Sequence, residues 1–399
     1  MLSRISFDGG GAPPSLTTRF VSSEAFTHAK KGQMGFAEFM TPVAAPGTGA
    51  AGLLRNLRGV LTFKTTDNAC VNLIQHAGQV LAMTETHRSW TRIDPSTLET
   101  CGRVQWAGDR VGILGTAHPW ADPAGGGLLN VATDIFPFFS SYQVYKLPKE
   151  APWRREVIAS IPCVDRASPR WVHSFGATRN TVVVIEQPAA YDLGSMFGLW
   201  QASHFNLEWL ADQGTHVHVL DRHSGEVNTR VMKTAFFFHV CNAFDYEDDK
   251  GGGVCVDLCV FDDCKILHSL SLDCLNSEGP LQDLPRSRIN RLRLPRLGSE
   301  LPTLTALDNE QLSGGYAELP TINPLMNGNG SYKYVYTIGA SRPAAVANAV
   351  VKSDVSGAGG DAFFKLDGML PGEPLFVPHP DASAEDDGVV LTLGTDSDG

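Results

Sequence analysis

Three histidines stand where an imidazole could hold a metal. His239 closes the apolar run Phe236-Phe237-Phe238 and leads into Val240-Cys241-Asn242-Ala243-Phe244-Asp245. His118 lies in Gly115-Thr116-Ala117-His118-Pro119, and His173 in Trp171-Val172-His173-Ser174-Phe175-Gly176. An imidazole buried among such neighbours is costly unless its nitrogens meet a hydrogen-bonding group or a metal. Imidazole-only ligation suits iron, zinc, copper or nickel. A metal-bound histidine usually donates its second N–H to a carboxylate, so acids inside apolar runs belong to the same chemistry. Glu85 (Ala82-Met83-Thr84-Glu85-Thr86), Glu318 (Ala317-Glu318-Leu319-Pro320) and Glu373 (Gly372-Glu373-Pro374-Leu375) fit that description. Glu186, after Val182-Val183-Val184-Ile185, ranks below them. Each acid can also be read as an exposed strand end.

The three histidines are too far apart for a helical HExxH site. They can still converge if the fold is radial, as in a propeller whose inner strands face one axis. His216 and His218 alternate on one strand and share a face. The pair could bind a metal, but its setting, Thr215-His216-Val217-His218-Val219-Leu220-Asp221, reads rather as a solvent face opposite a Val/Leu core face. His28, His76, His87, His204, His223 and His268 sit in polar or irregular contexts, and His379, in Pro378-His379-Pro380-Asp381, reads as a turn.

The elements that must position these residues are mostly strands. Strands are expected at Gly59–Thr65, Gln79–Thr86, Leu128–Asp134, Tyr142–Leu147, Thr181–Glu186, Thr215–Asp221, Gly253–Asp262, Tyr332–Gly339 and Gly388–Leu393. They are short, rich in Val, Tyr, Phe and Thr, and bounded by Gly, Pro, Asn and Asp. Helical pattern is scarce, and its best candidates are Glu24–Phe39 and Ala344–Lys352. Many short strands with turn punctuation point to a propeller, barrel or sandwich, and the size favours a propeller. Ala44–Gly52 and Val355–Asp361 read as surface insertions, and Gly251-Gly252-Gly253 as a hairpin turn. None is a phosphate loop, since no strand–Gly-rich–helix unit with Lys-Ser/Thr surrounds it.

Bulk properties exclude other classes. The 399 residues are 43% hydrophobic, which suffices for a large core, and the net charge is −11 with no basic run. That argues against a nucleic-acid partner. The eight cysteines form no CxxC pair, which fits free thiols in a reducing compartment better than a disulfide scaffold or zinc site. No run of 18 apolar residues occurs, so no transmembrane helix is expected. The N-terminus lacks a signal-peptide core.

Stretches from end to end carry a family likeness. They include Thr66-Asp67-Asn68-Ala69-Cys70-Val71-Asn72, Thr84-Glu85-Thr86, Thr116-Ala117-His118-Pro119, His173-Ser174-Phe175-Gly176 and Glu186-Gln187-Pro188. Further on come His239-Val240-Cys241-Asn242-Ala243-Phe244-Asp245, Glu318-Leu319-Pro320-Thr321-Ile322-Asn323 and Glu373-Pro374-Leu375-Phe376-Val377-Pro378 with Glu385-Asp386-Asp387-Gly388. In these the chain resembles the carotenoid cleavage oxygenase family, in its β-carotene oxygenase and retinoid isomerohydrolase branch. The resemblance implies one domain over residues 1–399, an all-β, seven-bladed β-propeller with few short helices. It implies Fe(II) on the axis, with His118, His173 and His239 as ligands. It implies that Glu85 orients His173, Glu318 orients His239 and Glu373 orients a fourth histidine, while Thr84 lies near the iron in the substrate cavity. That fourth ligand belongs to a short C-terminal His-Gly motif. The chain ends at Gly399 before one occurs, so the resemblance also implies a propeller incomplete at both ends, its closing strand absent. Trp120 stands where a smaller or more polar residue is expected.

The implied activity is dioxygenase cleavage of one double bond of a carotenoid or apocarotenoid by O2, giving two carbonyl fragments. The alternatives are a retinoid isomerohydrolase sharing the iron site, or a non-catalytic polyene-binding propeller if the missing fourth histidine leaves iron unbound. Tyr191–Leu210 is apolar in patches; the resemblance implies membrane contact near it, and an ordinary buried helix or loop is the equal alternative, while its polar residues rule out a span. The family occurs in cytosol and plastid, often on membrane surfaces, and the residues do not choose between these compartments.

Overall fold

The protein is described here by a computed structural model. It describes residues 1–32, 65–136, 138–196, 206–275, 283–296, 301–307, 315–357, 360–365 and 367–396. The insertion Ala44–Gly52, His204 and nearly all of the strand expected at Gly59–Thr65 lie outside these residues, as does the middle of Tyr191–Leu210. The chain divides into two compact units: Met1–His173 with Ala190–Glu208, and Ser174–Ala189 with Trp209–Gly399.

The first unit opens with a hairpin, Leu2–Ser6 against Ser15–Arg19, and the short helix Glu24–Ala29. Ser23 caps that helix, its hydroxyl accepting the Phe26 N–H at 3.0 Å. A four-stranded antiparallel meander follows: Asn72–His76, Gln79–Met83, Thr91–Ile93 and Thr100–Arg103. Its first turn has positive φ at Ala77 (50°) and Gly78 (74°), the twist a two-residue hairpin requires. Next is a six-stranded sheet built on Gly127–Asp134, Ser141–Pro148 and Arg154–Pro162. Two short strands, Leu114–Gly115 and Trp120–Ala121, both pair with Gly127–Asp134. The core includes Leu81, Met83, Trp90, Ala117 and Leu147.

The second unit contains three four-stranded antiparallel meanders. The first is Gly176–Ala177, Thr181–Glu186, Thr215–Asp221 and Val227–Met232. The second is Phe236–Tyr246, Gly253–Phe261, Ser287–Pro295 and Thr303–Ala306, and the third is Ala317–Thr321, Tyr334–Gly339, Ala349–Asp354 and Ala362–Phe364. Two-stranded pairs follow toward the C-terminus, Leu370–Pro371 with Gly394–Thr395 and Leu375–Pro378 with Gly388–Leu391. Every residue of Thr181–Glu186 and Gly253–Phe261 is buried, the mark of strands covered on both faces.

Most expected strands are present within two residues at each end. The helix expected at Ala344–Lys352 is not. Ala349–Asp354 is a strand paired along its length with Tyr334–Gly339, so cross-strand pairing of Val350 and Val351 outweighs the helical preference of the alanines. At Glu24–Phe39 the helix ends at Ala29, and the residues from 33 onward lie outside the described set. Among the described residues, five sheets have four or more strands, where the resemblance implies seven blades. Gly251 and Gly252 have positive φ and form the turn into Gly253–Phe261. All eight cysteines are free, and four of them (Cys163, Cys241, Cys255, Cys259) are buried. No helix among the described residues is long and apolar enough to cross a membrane.

Candidate metal centre

In the first unit the Gln79–Met83 strand runs into Thr84-Glu85-Thr86, and one hydroxyl holds this turn. Ser89, fully buried, accepts the Thr84 N–H at 2.8 Å, and its own proton can go to the carbonyl of Thr84 (3.0 Å) or Thr86 (2.8 Å). The Thr86 hydroxyl donates to the Thr66 carbonyl at 2.7 Å. The Glu85 carbonyl accepts the Gly115 N–H at 3.0 Å, which ties this turn to the segment carrying His118. Thr84 itself is buried.

The Glu85 side chain is 6% exposed. Burying a carboxylate is tolerable only when donors satisfy it. Trp171 Nε1–H lies 3.0 Å from Oε2 and 3.2 Å from Oε1, and His173 Nδ1 lies 2.7 Å from Oε1. Since a carboxylate only accepts, His173 carries its proton on Nδ1, and its Nε2 presents a lone pair. That Nε2 stands 3.1 Å from Nε2 of His118. The two rings meet at 62° with centroids 4.6 Å apart, edge to face and not stacked. Two imidazole ligands at right angles on one metal, each about 2.1 Å away, would have nitrogens about 3.0 Å apart. The observed pair matches that separation.

In the second unit His239 stands on Phe236–Tyr246, in a stretch where pairing with the next strand shifts register between Phe237 and Val240 and again before Asn242. Such irregularities re-aim side chains. Its Nδ1 lies 2.6 Å from Glu318 Oε2, so its Nε2 also presents a lone pair. Glu318 is 2% exposed, and Oε2 also accepts the Leu319 N–H at 2.9 Å. Oε1 of Glu318 is buried and meets no hydrogen-bond partner among the described residues. Leu319 has φ of +50°, a left-handed conformation that costs a branched side chain energy. Glu373 is exposed as a residue; desolvation by its surroundings nevertheless raises its carboxyl above the ordinary range, and His239 partly opposes this.

Glu85, His118 and His173 are thus assembled in the first unit, and His239, Glu318 and Glu373 in the second. Both glutamate–histidine contacts are of the kind that orients metal-bound imidazoles. The donor set is neutral nitrogen, which fits iron as well as zinc, copper or nickel.

Two features went unread in the sequence. Trp171 shares the Glu85 carboxylate with His173, and its place two residues before that histidine was the available signal. Ser89 carried no signal. One expectation is corrected. His218 does not face solvent: it is 2% exposed, its Nε2 lies 2.8 Å from Glu186 Oε2 and its Nδ1 2.8 Å from Thr229 Oγ1. Glu186 is 1% exposed, so the pair is buried within a strand pairing of Thr181–Glu186 with Thr215–Asp221. His76 is likewise buried, its Nε2 3.3 Å from the Pro152 carbonyl, and desolvation lowers its pKa. His379 does form a turn, its Nδ1 accepting the Asp381 N–H at 3.1 Å.

Comparison with known proteins gives consistent matches. A family model described as retinal pigment epithelial membrane protein matches residues 1–399. The chain is 32% identical to carotenoid cleavage dioxygenase 8, chloroplastic, of Arabidopsis thaliana, over 100% of this chain and 70% of the relative. It is 30% identical to beta,beta-carotene 15,15'-dioxygenase of Homo sapiens, over 84% of this chain and 66% of the relative. Among solved structures, a variant of Synechocystis apocarotenoid oxygenase aligns with a TM-score of 0.75 at 21% identity, covering 99% of this chain and 78% of that one. At that identity the likeness speaks to the fold.

Proposed function

The chain belongs to the retinal pigment epithelial membrane protein family of carotenoid cleavage oxygenases, and from this premise we propose that it is a non-haem Fe(II) dioxygenase that cleaves one double bond of a carotenoid or apocarotenoid. The observation that carries the reading is the Glu85–His173 pair, which leaves His173 Nε2 a lone pair facing His118 Nε2 at 3.1 Å. His118, His173 and His239 are the proposed iron ligands. A bound ferrous ion would supply O2 activation, and cleavage would place one oxygen atom on each carbon of the broken C=C bond, giving two carbonyl products.

The chain's own residues have separate tasks in this reading. Glu85 and Glu318 hold the proton on Nδ1 of His173 and His239, which makes Nε2 the nitrogen each would offer a metal. Trp171 donates to the same Glu85 carboxylate and helps satisfy it in a buried place. Neutral ligands leave the metal its full positive charge. Thr84 is assigned to the substrate cavity, its backbone fixed by Ser89. Glu373 is assigned, by the family pattern, to orient a further histidine ligand, and seven blades are the propeller count we assign on the same pattern.

A polyene substrate dissolves in membranes, and we assign membrane contact to the hairpin tip between Gly127–Asp134 and Ser141–Pro148. Phe136, Phe138 and Phe139 there are 60%, 72% and 65% exposed. Three exposed rings at one tip suit the interface, where aromatic side chains settle at headgroup level. Sedimentation with phosphatidylcholine vesicles should fall when all three are changed to serine.

The test of the main reading is iron content of anaerobically purified protein, followed by product analysis with β-carotene and an apocarotenal under 18O2. Iron together with two labelled carbonyl products is expected. A rearranged alcohol would assign the isomerohydrolase reaction instead. Polyene binding without iron or products would leave a binding protein.

A further inference from the structure

We propose that Asn130, assisted by Asn72, is a positioning residue for His118: the two carboxamides fix the backbone of residues 116–118, so the imidazole is aimed at His173 before a metal arrives. The inference rests on the reading of His118 as an iron ligand.

His118 needs such help because it stands on a loop. Residues 116–119 bridge the strands Leu114–Gly115 and Trp120–Ala121. Both strands pair with Gly127–Asp134, Gly115 opposite Ala132 and Trp120 opposite Leu129. The loop therefore arches over Asn130 and Val131, the two residues between those anchor points. Asn130 is fully buried and uses all its hydrogen-bonding capacity. Its Oδ1 accepts the Thr116 hydroxyl at 2.6 Å and the Val131 N–H at 2.8 Å. Its Nδ2 donates to the Thr116 carbonyl at 3.0 Å and to the Tyr145 hydroxyl at 3.1 Å. Thr116 is thus gripped by side chain and backbone together, and its hydroxyl oxygen in turn accepts the His118 N–H at 3.3 Å. From the other side, Asn72 Nδ2 donates to the Ala117 carbonyl at 2.7 Å, while the Ala117 methyl is buried in the core.

This differs from the way Glu85 and Glu318 act. Those carboxylates touch the imidazole they orient. Asn130 and Asn72 act one step back, on the main chain that carries the imidazole. A misplaced backbone moves a ligand atom as surely as a rotated ring does, and ligand sites tolerate little misplacement.

The experiment measures Co(II) affinity and the visible Co(II) spectrum of the full chain, anaerobically, for the parent and the variants N130D, N72A, H118A and N348A. N130D keeps the size and the acceptor but removes both donors. N72A removes one donor from a half-buried site and keeps the test open should N130D fail to fold. N348A is the structural control, because Asn348 makes the same double clamp elsewhere: its Oδ1 accepts the Ser341 N–H at 2.8 Å and its Nδ2 donates to the Ser341 carbonyl at 3.2 Å. The expected result is an affinity loss of about tenfold or more for N130D and a smaller loss for N72A, each with a shifted Co(II) band. N348A should lower the melting temperature and leave affinity and spectrum unchanged. If H118A weakens binding while N130D and N72A bind and absorb like the parent, the inference is overturned and the reading of His118 stands. If H118A itself binds like the parent, that reading falls and takes the inference with it.

Discussion

Two buried histidine–glutamate pairs invite comparison. In the first unit Glu85 holds Nδ1 of His173 at 2.7 Å, and the remaining nitrogen faces a second imidazole. In the second unit Glu186 holds Nε2 of His218 at 2.8 Å, and the remaining nitrogen faces the Thr229 hydroxyl at 2.8 Å. Carboxylate and burial are common to both, so neither distinguishes a metal site. The second nitrogen does. A hydroxyl can donate to or accept from an imidazole and completes it as a closed structural unit. A second imidazole 3.1 Å away brings two nitrogens to one point, which a metal can share. His239 resembles the first case in having its Nδ1 committed to a carboxylate, Glu318.

Breaking each pair should separate the two roles. The largest effect is expected for Glu186→Ala, which strands a buried imidazole beside a hydroxyl. Leaving a buried donor without its acceptor costs about 1–3 kcal/mol and the emptied carboxylate site adds a cavity, to be read together as an earlier urea unfolding transition. Iron bound per folded chain should stay at the parent value, and a fall there would erase the distinction drawn above. Glu85→Gln should do the opposite. It preserves shape and weakens metal binding by about 10–100-fold, measured by anaerobic competition with a chelator, with a smaller change in unfolding. Trp171→Phe should cost about 1.5 kcal/mol of stability, because it removes one donor from a buried carboxylate that His173 still satisfies. A loss as large as that of Glu186→Ala would mean Trp171, and not His173, is the main partner of Glu85.

The smallest effect concerns Glu373. Desolvation raises its folded-state pKa above the ordinary 4.5. Between 4.5 and that raised value the folded chain holds a proton that the unfolded chain has released, so stability falls as pH rises through the window. Glu373→Gln should abolish that part of the slope in metal-free protein, measured by urea unfolding at successive pH values. An unchanged slope would place the carboxyl in water.

The legible parts of the sequence were those with local signals. Thr181–Glu186 and Thr215–Asp221 were bounded correctly, because runs of β-branched residues between turn formers can be little else. The Gly251–Gly252 turn was legible because positive φ is nearly free only for glycine. Ala349–Asp354 was misread because its alanines favour a helix, and only the neighbouring strand Tyr334–Gly339 makes it extended. His218 was misread because alternation says which residues share a face, not whether that face is covered. Its burial depends on packing that no local pattern records.

The sequence by itself determined which groups were available: three histidines in apolar settings, acids placed to serve them, and strands to carry them. Those are properties of residue type and short spacing, and the carotenoid-oxygenase likeness lay in the same stretches. Only the tertiary structure decided which acid meets which imidazole. It set Glu85 against His173 and Trp171, Glu318 against His239, and Glu186 against His218, over 88, 86, 79 and 32 residues of chain respectively. It also put Asn130 under the loop of His118. The physical reason is that a hydrogen bond acts over about 3 Å of space, whatever the length of chain between its partners.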